Sequence, residues 1–412
     1  MEFSKHVLAN GLEIIAECHG EAYSTALGFF VNTGARDESD AISGVSHFLE
    51  HMVFKGTAGR SADRVNREFD EMGAHYNAFT GEENTVYYAA VLPEFLDRVT
   101  ALWGDILRPA LREDDFRTEK QVILEEIRMY RDQPPFGADE KCRALHYGAH
   151  PLGRSVLGTV QSITDLPVDA MRDYFHRRYS PGNIVLAAAG RVEFDALVAC
   201  AERCCGRWEP VEAGRTAGPA ATSRGFHVLH KPTATQQYVL QLADGPAAED
   251  ADRYPARLLA TVLGDDTGSR LYWELVDPGL AEHATLSHCE QQRAGLMMTS
   301  LSCAPDCAAE NLQRVLDLFR RAQTDGITPA ELAQAKSKLR SRIVLTGERP
   351  RGRLFMVGSD WVYRRQYRTV QEELDAVAAV TLEQVMAVLA AYPLTGGTTV
   401  TIGPLAEVPA PQ

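Results

Sequence analysis

The sequence predicts an α+β protein built from two homologous domains, each a mostly antiparallel sheet covered by helices. Three observations predict it. At 412 residues the chain is longer than one hydrophobic core ordinarily serves, so two domains of roughly 200 residues each are expected. The order of strand-like and helix-like stretches occurs twice, as duplicated α+β halves facing one another would require. Between the two runs, residues 211–224 (VEAGRTAGPAATSR) are rich in Gly, Ala and Pro, the composition of a linker. The expected division is therefore 1–210, a linker 211–224, and 225–412.

The elements follow in order. Residues 5–17 read as an extended segment broken by the turn Asn10-Gly11. Residues 23–33 (YSTALGFFVNT) are apolar and alternating enough for a buried strand. Helices are expected at 44–54 and 61–72. Residues 74–92 read as two strands around a polar turn, with Tyr87 and Tyr88 favouring strand. Amphipathic helices follow at 93–107, 113–131 and 167–178, and a strand at 183–189. In the second half, strands at 225–230 and 236–243 precede helices at 253–263 and 269–276. Strands at 284–289 and 295–302, helices at 308–323, 329–345 and 382–392, and a strand at 398–402 complete the plan.

Composition narrows the function. Hydrophobic content of 45% and charged content of 24% are those of a globular protein. A formal charge of −14 and a pI of about 5.4 argue against nucleic acid or an anionic membrane as partner. No stretch approaches the roughly 20 apolar residues of a membrane span, and no secretory leader is evident at the start. Eight cysteines include Cys200, Cys204 and Cys205 on one helix-like stretch and Cys303 with Cys307, neither set having a matching zinc-ribbon half. Reduced thiols in a cytoplasmic protein are the expectation.

The chemical signal is His47-Phe48-Leu49-Glu50-His51. On a helix, residues four apart project from one face, so His47 and His51 can share an ion. Two imidazoles leave tetrahedral positions for a third ligand and a water. Glu50, three residues after His47, lies beside that face and can accept a proton without being a ligand. The pattern is the inverted form, His-x-x-Glu-His, of the commoner zinc-peptidase motif. A third ligand can come from helix 113–131, where Glu119 and Glu126 are seven apart on one face and Glu125 points about 100° away. Val122, Ile123 and Ile127 are expected to form that helix's core stripe. In the second half, the stretch corresponding to the His-Glu-His helix is the apolar 253–263 (RYPARLLATVL). One half carries chemistry and the other only shape.

The run Gly44 to Thr57 around His47 and His51, then Asn77-Ala78-Phe79-Thr80 with Tyr87-Tyr88, the pair Glu119 and Glu126, and Gly190 closely resemble the pitrilysin and mitochondrial-processing-peptidase family of inverzincin metallopeptidases. The likeness covers almost the whole chain. In that family the distal ligand is the second glutamate of a pair seven apart, some seventy-odd residues beyond the second histidine; here 126 − 51 = 75. The resemblance implies one zinc ion per chain on His47, His51 and Glu126, with Glu50 as general base and Glu119 supporting a ligand or water. It also implies that Asn77, Ala78 and Phe79 lie on an edge strand that pairs with an extended peptide. Two halves forming a clamshell would enclose a chamber, so unstructured peptides would be cut by an endopeptidase.

One departure bears on partners. Relatives of this kind complete the site from the second half with Arg-Glu-Lys-Arg-Gly-Leu-Ala-Tyr. Here the corresponding segment runs from Leu275 through Gly279-Leu280-Ala281 to Glu282, so Leu275 and Glu282 replace the Arg and Tyr. Arg270 and Tyr272 lie near the missing pair. Two classes of function therefore stand side by side. One is an active zinc peptidase that borrows Arg and Tyr from a homologous zinc-free subunit in a heterodimer, or else forms a homodimer or works alone with Arg270 or Tyr272 in the vacant roles. The other is a non-catalytic core or assembly subunit sharing the fold. Intact His47, Glu50, His51 and Glu126 favour the first, since a scaffold has no need of them.

Overall fold

Every residue of Thr25–Val31 is buried, the pattern of a strand covered on both faces. In the computed structural model, which describes residues 1–215, 218 and 220–412, this strand lies inside a six-stranded sheet. The strands are β1 (Glu2–Val7), β2 (Glu13–Cys18), β3 (Thr25–Val31), β4 (His75–Thr80), β5 (Thr85–Val91), β6 (Ile184–Gly190), β7 (Gly225–His230), β8 (Gln237–Asp244), β9 (His283–Gln291), β10 (Ala294–Cys303) and β11 (Thr398–Gly403). Their order is β1-β2-β6-β3-β5-β4 in one sheet and β7-β11-β8-β10-β9 in the other. Leave out β1 and the two orders coincide strand for strand. Each sheet has one parallel pair, β2 with β6 and β7 with β11, and is otherwise antiparallel. The duplicated plan read from the sequence is the observed topology.

The first-half helices are α1 (Val45–Val53), α2 (Ala62–Glu71), α3 (Leu96–Ile106), α4 (Glu113–Asp132), α5 (Ala138–Tyr147), α6 (Val160–Asp165), α7 (Val168–Arg178) and α8 (Phe194–Cys205). Those of the second half are α9 (Arg253–Gly264), α10 (Ala308–Asp325), α11 (Pro329–Gly347), α12 (Pro350–Arg364), α13 (Val370–Ala379) and α14 (Leu382–Ala391). Both α1 and α9 follow the third strand of the shared order, so they are counterparts. None of the single helices among the described residues is long and apolar enough to cross a membrane.

Period-two alternation along β3 sorts the first unit's core into two layers. Leu27, Phe29 and Val31 pack with α1, α3, α4 and α8 on one face. Ala26 and Phe30 face the other way, where Leu354, Val357 and Trp361 of α12 cover them. Helix and sheet approach so closely there that a Cβ on Gly358 would come within 2.3 Å of the Phe30 ring. Arg353 donates to buried Glu17 (Nε–Oε1 2.8 Å), tying α12 to β2.

That placement departs from the division expected by chain order. Compactness groups residues 1–128, 154–216 and 345–368 in one unit, and 129–153, 217–344 and 369–412 in the other. The boundaries 1–210 and 225–412 separate the two sheets, but α12 belongs with the first sheet and α5 packs on β8 and β11 of the second. Helical periodicity says which face of α5 or α12 is apolar; it does not say which sheet that face will cover. Residues 216, 217 and 219 of the expected linker lie outside the described residues.

Candidate metal centre

The site is built on α1, and its entry is set by Gly44 at φ +92°. A Cβ there would sit 2.5 Å from the Leu157 carbonyl oxygen, so only glycine serves. Two N–H groups at the start of the helix are met by the Glu38 carboxyl group, which accepts from Gly44 N at 2.7 Å and Ser46 N at 2.8 Å, so that acceptor oxygens stand at the positive end of the helix. Burial pushes the Glu38 pKa up to about 8, against the pull of those two N–H groups. Phe48, Leu49, Met52 and Val53 are buried in the core. His47, Glu50 and His51 are left for another face.

Helix α4 supplies the acids. Its buried residues are Phe116, Glu119, Ile123, Leu124 and Ile127. Val122, expected in the core stripe, is instead 46% exposed: it stands only about 40° around the helix from Glu126, on the open side. Glu125 is exposed and paired with Arg128, as its angle from Glu126 foretold.

Three donor atoms meet between the helices. Glu126 Oε2 lies 3.8 Å from His47 Nε2 and 3.6 Å from His51 Nε2, and one donor atom from each of the three residues falls within 4.8 Å of the others. Ligands about 2.0–2.1 Å from a tetrahedral zinc stand roughly 3.4 Å apart, so a small contraction would close this set on an ion. Among the described residues it is the only group of three or more His, Cys, Asp or Glu side chains placed to do so. His51 Nδ1 is 2.8 Å from Glu119 Oε1, the buried-carboxylate partner that metal-ligating imidazoles ordinarily have. His47 Nδ1 is buried with no hydrogen-bond partner among the described residues, so that side of the ring is held by packing.

Charge and burial act differently on each member. Burial, then the neighbouring His51, lowers the His47 pKa to about 3, keeping that ring neutral and able to ligate. For His51 burial works downward, but the Glu119 hydrogen bond and the charges of Glu119, Glu126 and Glu50 outweigh it and raise the pKa. Glu50 is raised chiefly by burial, with Thr80 and His51 opposing. Its Oε2 accepts from Thr80 Oγ1 at 2.6 Å, which aims the carboxylate. Thr80, Glu38 and Lys55 (Nζ 2.5 Å from Glu119 Oε2) received no role from sequence reasoning, although Thr80 and Lys55 stand inside recognised motifs. Spacing along the chain holds no signal for contacts between elements.

Thr80 ends β4, the free edge of the first sheet. The hairpin bond Gly81 N to Asn84 O and the register Ala78↔Tyr87 set the alternation of an antiparallel pair. Asn77 and Phe79 spend their backbone groups on β5, while Ala78 turns its N–H and C=O to the open edge. The Ala78 N–H is capped by Asn77 Oδ1 at 2.9 Å. Phe79 points its ring toward Phe355 of α12, centroids 5.9 Å apart, and so away from the α1 face. A buried ionic frame supports this hairpin: Arg36 Nη1 lies 2.6 Å from Glu83 Oε1. Arg215, inside the expected linker, grips Asp37 with bonds of 2.8 and 2.6 Å.

In the second unit, Leu275 is fully buried and Glu282 is exposed, accepting from Gln236. Arg270 is committed to Glu331 (2.7 and 2.9 Å) and the Gly326 carbonyl (2.8 Å). Tyr272 packs edge-on against Trp273, centroids 5.0 Å apart. Helix α9, the counterpart of α1, is buried along nearly its whole length.

With this geometry in view, comparison with known proteins is informative. The model of the insulinase family, peptidase family M16, matches residues 14–160, and that of the peptidase M16 inactive domain matches residues 165–339. An uncharacterised zinc protease of Mycobacterium leprae is 32% identical over 388 residues, covering 92% of this chain and 87% of that protein. One from Bacillus subtilis is 29% identical over 384 residues, covering 92% and 93%. Among solved structures, a protease from Helicobacter pylori has a TM-score of 0.91 at 21% identity, covering 98% of this chain and 99% of the other. A Pseudomonas fluorescens structure described as a peptidase M16 inactive domain also has a TM-score of 0.91, at 19% identity over the full length of both chains. At such identities the two structures speak for the fold alone.

Proposed function

The chain belongs to peptidase family M16, and on that premise we propose that it is a zinc metalloendopeptidase, holding one ion per chain on His47, His51 and Glu126. The observation that carries this reading is the convergence of those three donor groups within 4.8 Å, with Glu50 held beside them by Thr80. Zinc bound there would lower the pKa of a water and polarise the scissile carbonyl.

The chain's own residues divide the remaining work. Glu50, partly buried and aimed by Thr80, takes the proton of the attacking water and returns it to the leaving amine. Glu119 holds the His51 ring from behind. Ala78 offers one donor and one acceptor at an open edge, so an extended substrate adds as a strand once its carbonyl displaces the Asn77 side chain. Only unfolded chain can pair in this way, which favours unstructured peptides as substrates. All eight cysteines are free thiols, which favours a reducing cytoplasm.

Glu119→Ala is expected to weaken zinc affinity or rate by roughly tenfold to a hundredfold, the usual size of such support. Zinc titration of the metal-free variant measures it. Native affinity and rate would leave Glu119 only a buried structural acid.

The vacant Arg and Tyr positions bear on the partner. Leu275 faces a core, Glu282 is acidic and Arg270 is held by Glu331, so none of these three offers a free cation to substrate, and Tyr272 is left as the one phenol among the four. We infer a homologous, zinc-free subunit supplying Arg and Tyr, with a homodimer as the other arrangement. Loss of one transition-state hydrogen bond typically costs about 10²–10³ in rate, so the isolated chain should be weakly active and an added partner should restore turnover. The test is zinc content and cleavage of an unstructured peptide library, with and without the product of a homologous neighbouring gene. Full turnover by the lone chain would remove the partner. A chain with neither zinc nor activity in either arm would be an assembly subunit instead.

A further inference from the structure

The turn that carries Thr80 into β5 is gripped from outside the hairpin. Behind it lies the tail of β3: Ala35 N and Arg36 N donate to the carbonyls of Gly81 and Glu82 at 3.3 and 2.8 Å. A Cβ on Gly34 would come within 2.3 Å of the Gly81 carbonyl oxygen. Arg215 reaches the same turn from the chain segment that follows α8. Its buried guanidinium donates to Asp37 through Nε at 2.8 Å and Nη2 at 2.6 Å, and Nη2 also donates to the Glu83 carbonyl. Asp37 in turn accepts from Gly34 N at 3.1 Å. One planar fork therefore joins both sides of the contact between the β3 tail and the turn, which a point charge could not do.

Charge balance does not account for this arginine. Arg178 Nη2 stands 2.9 Å from Asp37 Oδ1, and Arg36 Nη1 stands 2.6 Å from Glu83 Oε1. The two buried carboxylates thus have a cation each without Arg215. Burying a third guanidinium costs free energy, and what it adds is the bond to the backbone of the turn. Three residues before Glu83 stands Thr80, whose hydroxyl donates to Glu50 Oε2 at 2.6 Å. Ala78, with its open N–H and C=O, lies two residues further back along β4. We propose that Arg215 is a positioning residue for hydrolysis: by locking the β4–β5 turn it keeps Thr80 against Glu50 and Ala78 in place for an incoming strand. The inference rests on the peptidase reading above.

The test uses the full chain with Arg215→Gln, which removes the charge, and Arg215→Lys, which keeps the charge and loses the fork. The pairs Arg178–Asp37 and Arg36–Glu83 and the hydrogen bond from Asn84 Nδ2 to Tyr363 Oη (3.0 Å) survive both changes, so both variants should fold. Amide hydrogen exchange of residues 75–85, zinc affinity and hydrolysis of an unstructured peptide are measured well below the unfolding midpoint (with the partner subunit present where turnover needs it). In Arg215→Gln, exchange across 75–85 is expected to quicken by about tenfold or more, while α1 and β3 exchange as in the native chain. The kcat should fall by about tenfold to a hundredfold, the effect of a misplacement on the order of 1 Å. Zinc affinity should stay native, because the ligands stand on α1 and α4. Arg215→Lys should repeat most of the loss. Native exchange at 75–85 in Arg215→Gln would overturn the proposal, as would native kcat, full recovery by Arg215→Lys, or a loosening spread evenly over the first unit. A native chain with neither zinc nor turnover would instead sink the peptidase reading, and exchange at 75–85 would still decide whether Arg215 locks the turn.

Discussion

Glu126→Ala is expected to abolish zinc binding and peptide hydrolysis together, as are His47→Ala and His51→Ala. Protein zinc sites gather about 10–16 kcal/mol from roughly four ligands, so each is worth about 3 kcal/mol, roughly a hundredfold or more in affinity. Removing one of three protein ligands leaves too few to hold the ion against a chelating buffer. The neighbouring carboxylates cannot take over: Glu125 is exposed and bound to Arg128, and Glu119 has both oxygens engaged by His51 and Lys55. Metal analysis of the dialysed variants, with circular dichroism to show that they fold, measures the effect. Full zinc occupancy in Glu126→Ala would move the third ligand elsewhere and dismantle the site as described.

Glu50→Gln should separate binding from chemistry. The amide has the shape of the acid, and its carbonyl can still accept from Thr80 Oγ1, which holds Glu50 Oε2 at 2.6 Å. Zinc content should stay native, because Glu50 is not among the converging donors. Hydrolysis should fall by about 10²–10⁴-fold, the contribution of a positioned general base, since an amide cannot take a proton from water. Parallel zinc analysis and peptide turnover make the check. Near-native turnover with normal zinc would place the base on another residue; loss of zinc would make Glu50 a ligand or a structural support.

What could be read directly from the sequence was what depends on local periodicity. Histidines four apart on a helix face one way whatever that helix packs against, so His47 and His51 were a pair before any fold was known. The same holds for Glu119 and Glu126 seven apart, and for the exposure of Glu125. Strand alternation and the repeated order of elements implied two sheets of one topology, and β2–β6 and β7–β11 have it. Other features arise only when elements dock. The pairing of Thr80 with Glu50 and of Lys55 with Glu119 joins residues 30 and 64 positions apart, where spacing carries no information. Whether Ala78 or its neighbours faced outward depended on the hairpin register, which a one-residue slip would invert. Val122 left the expected core stripe because α4 turns the face bearing Glu126 toward the open side. The assignment of α5 and α12 to sheets on the far side of the chain order followed the same logic: an apolar face states that it must be covered, and only tertiary packing selects the surface that covers it.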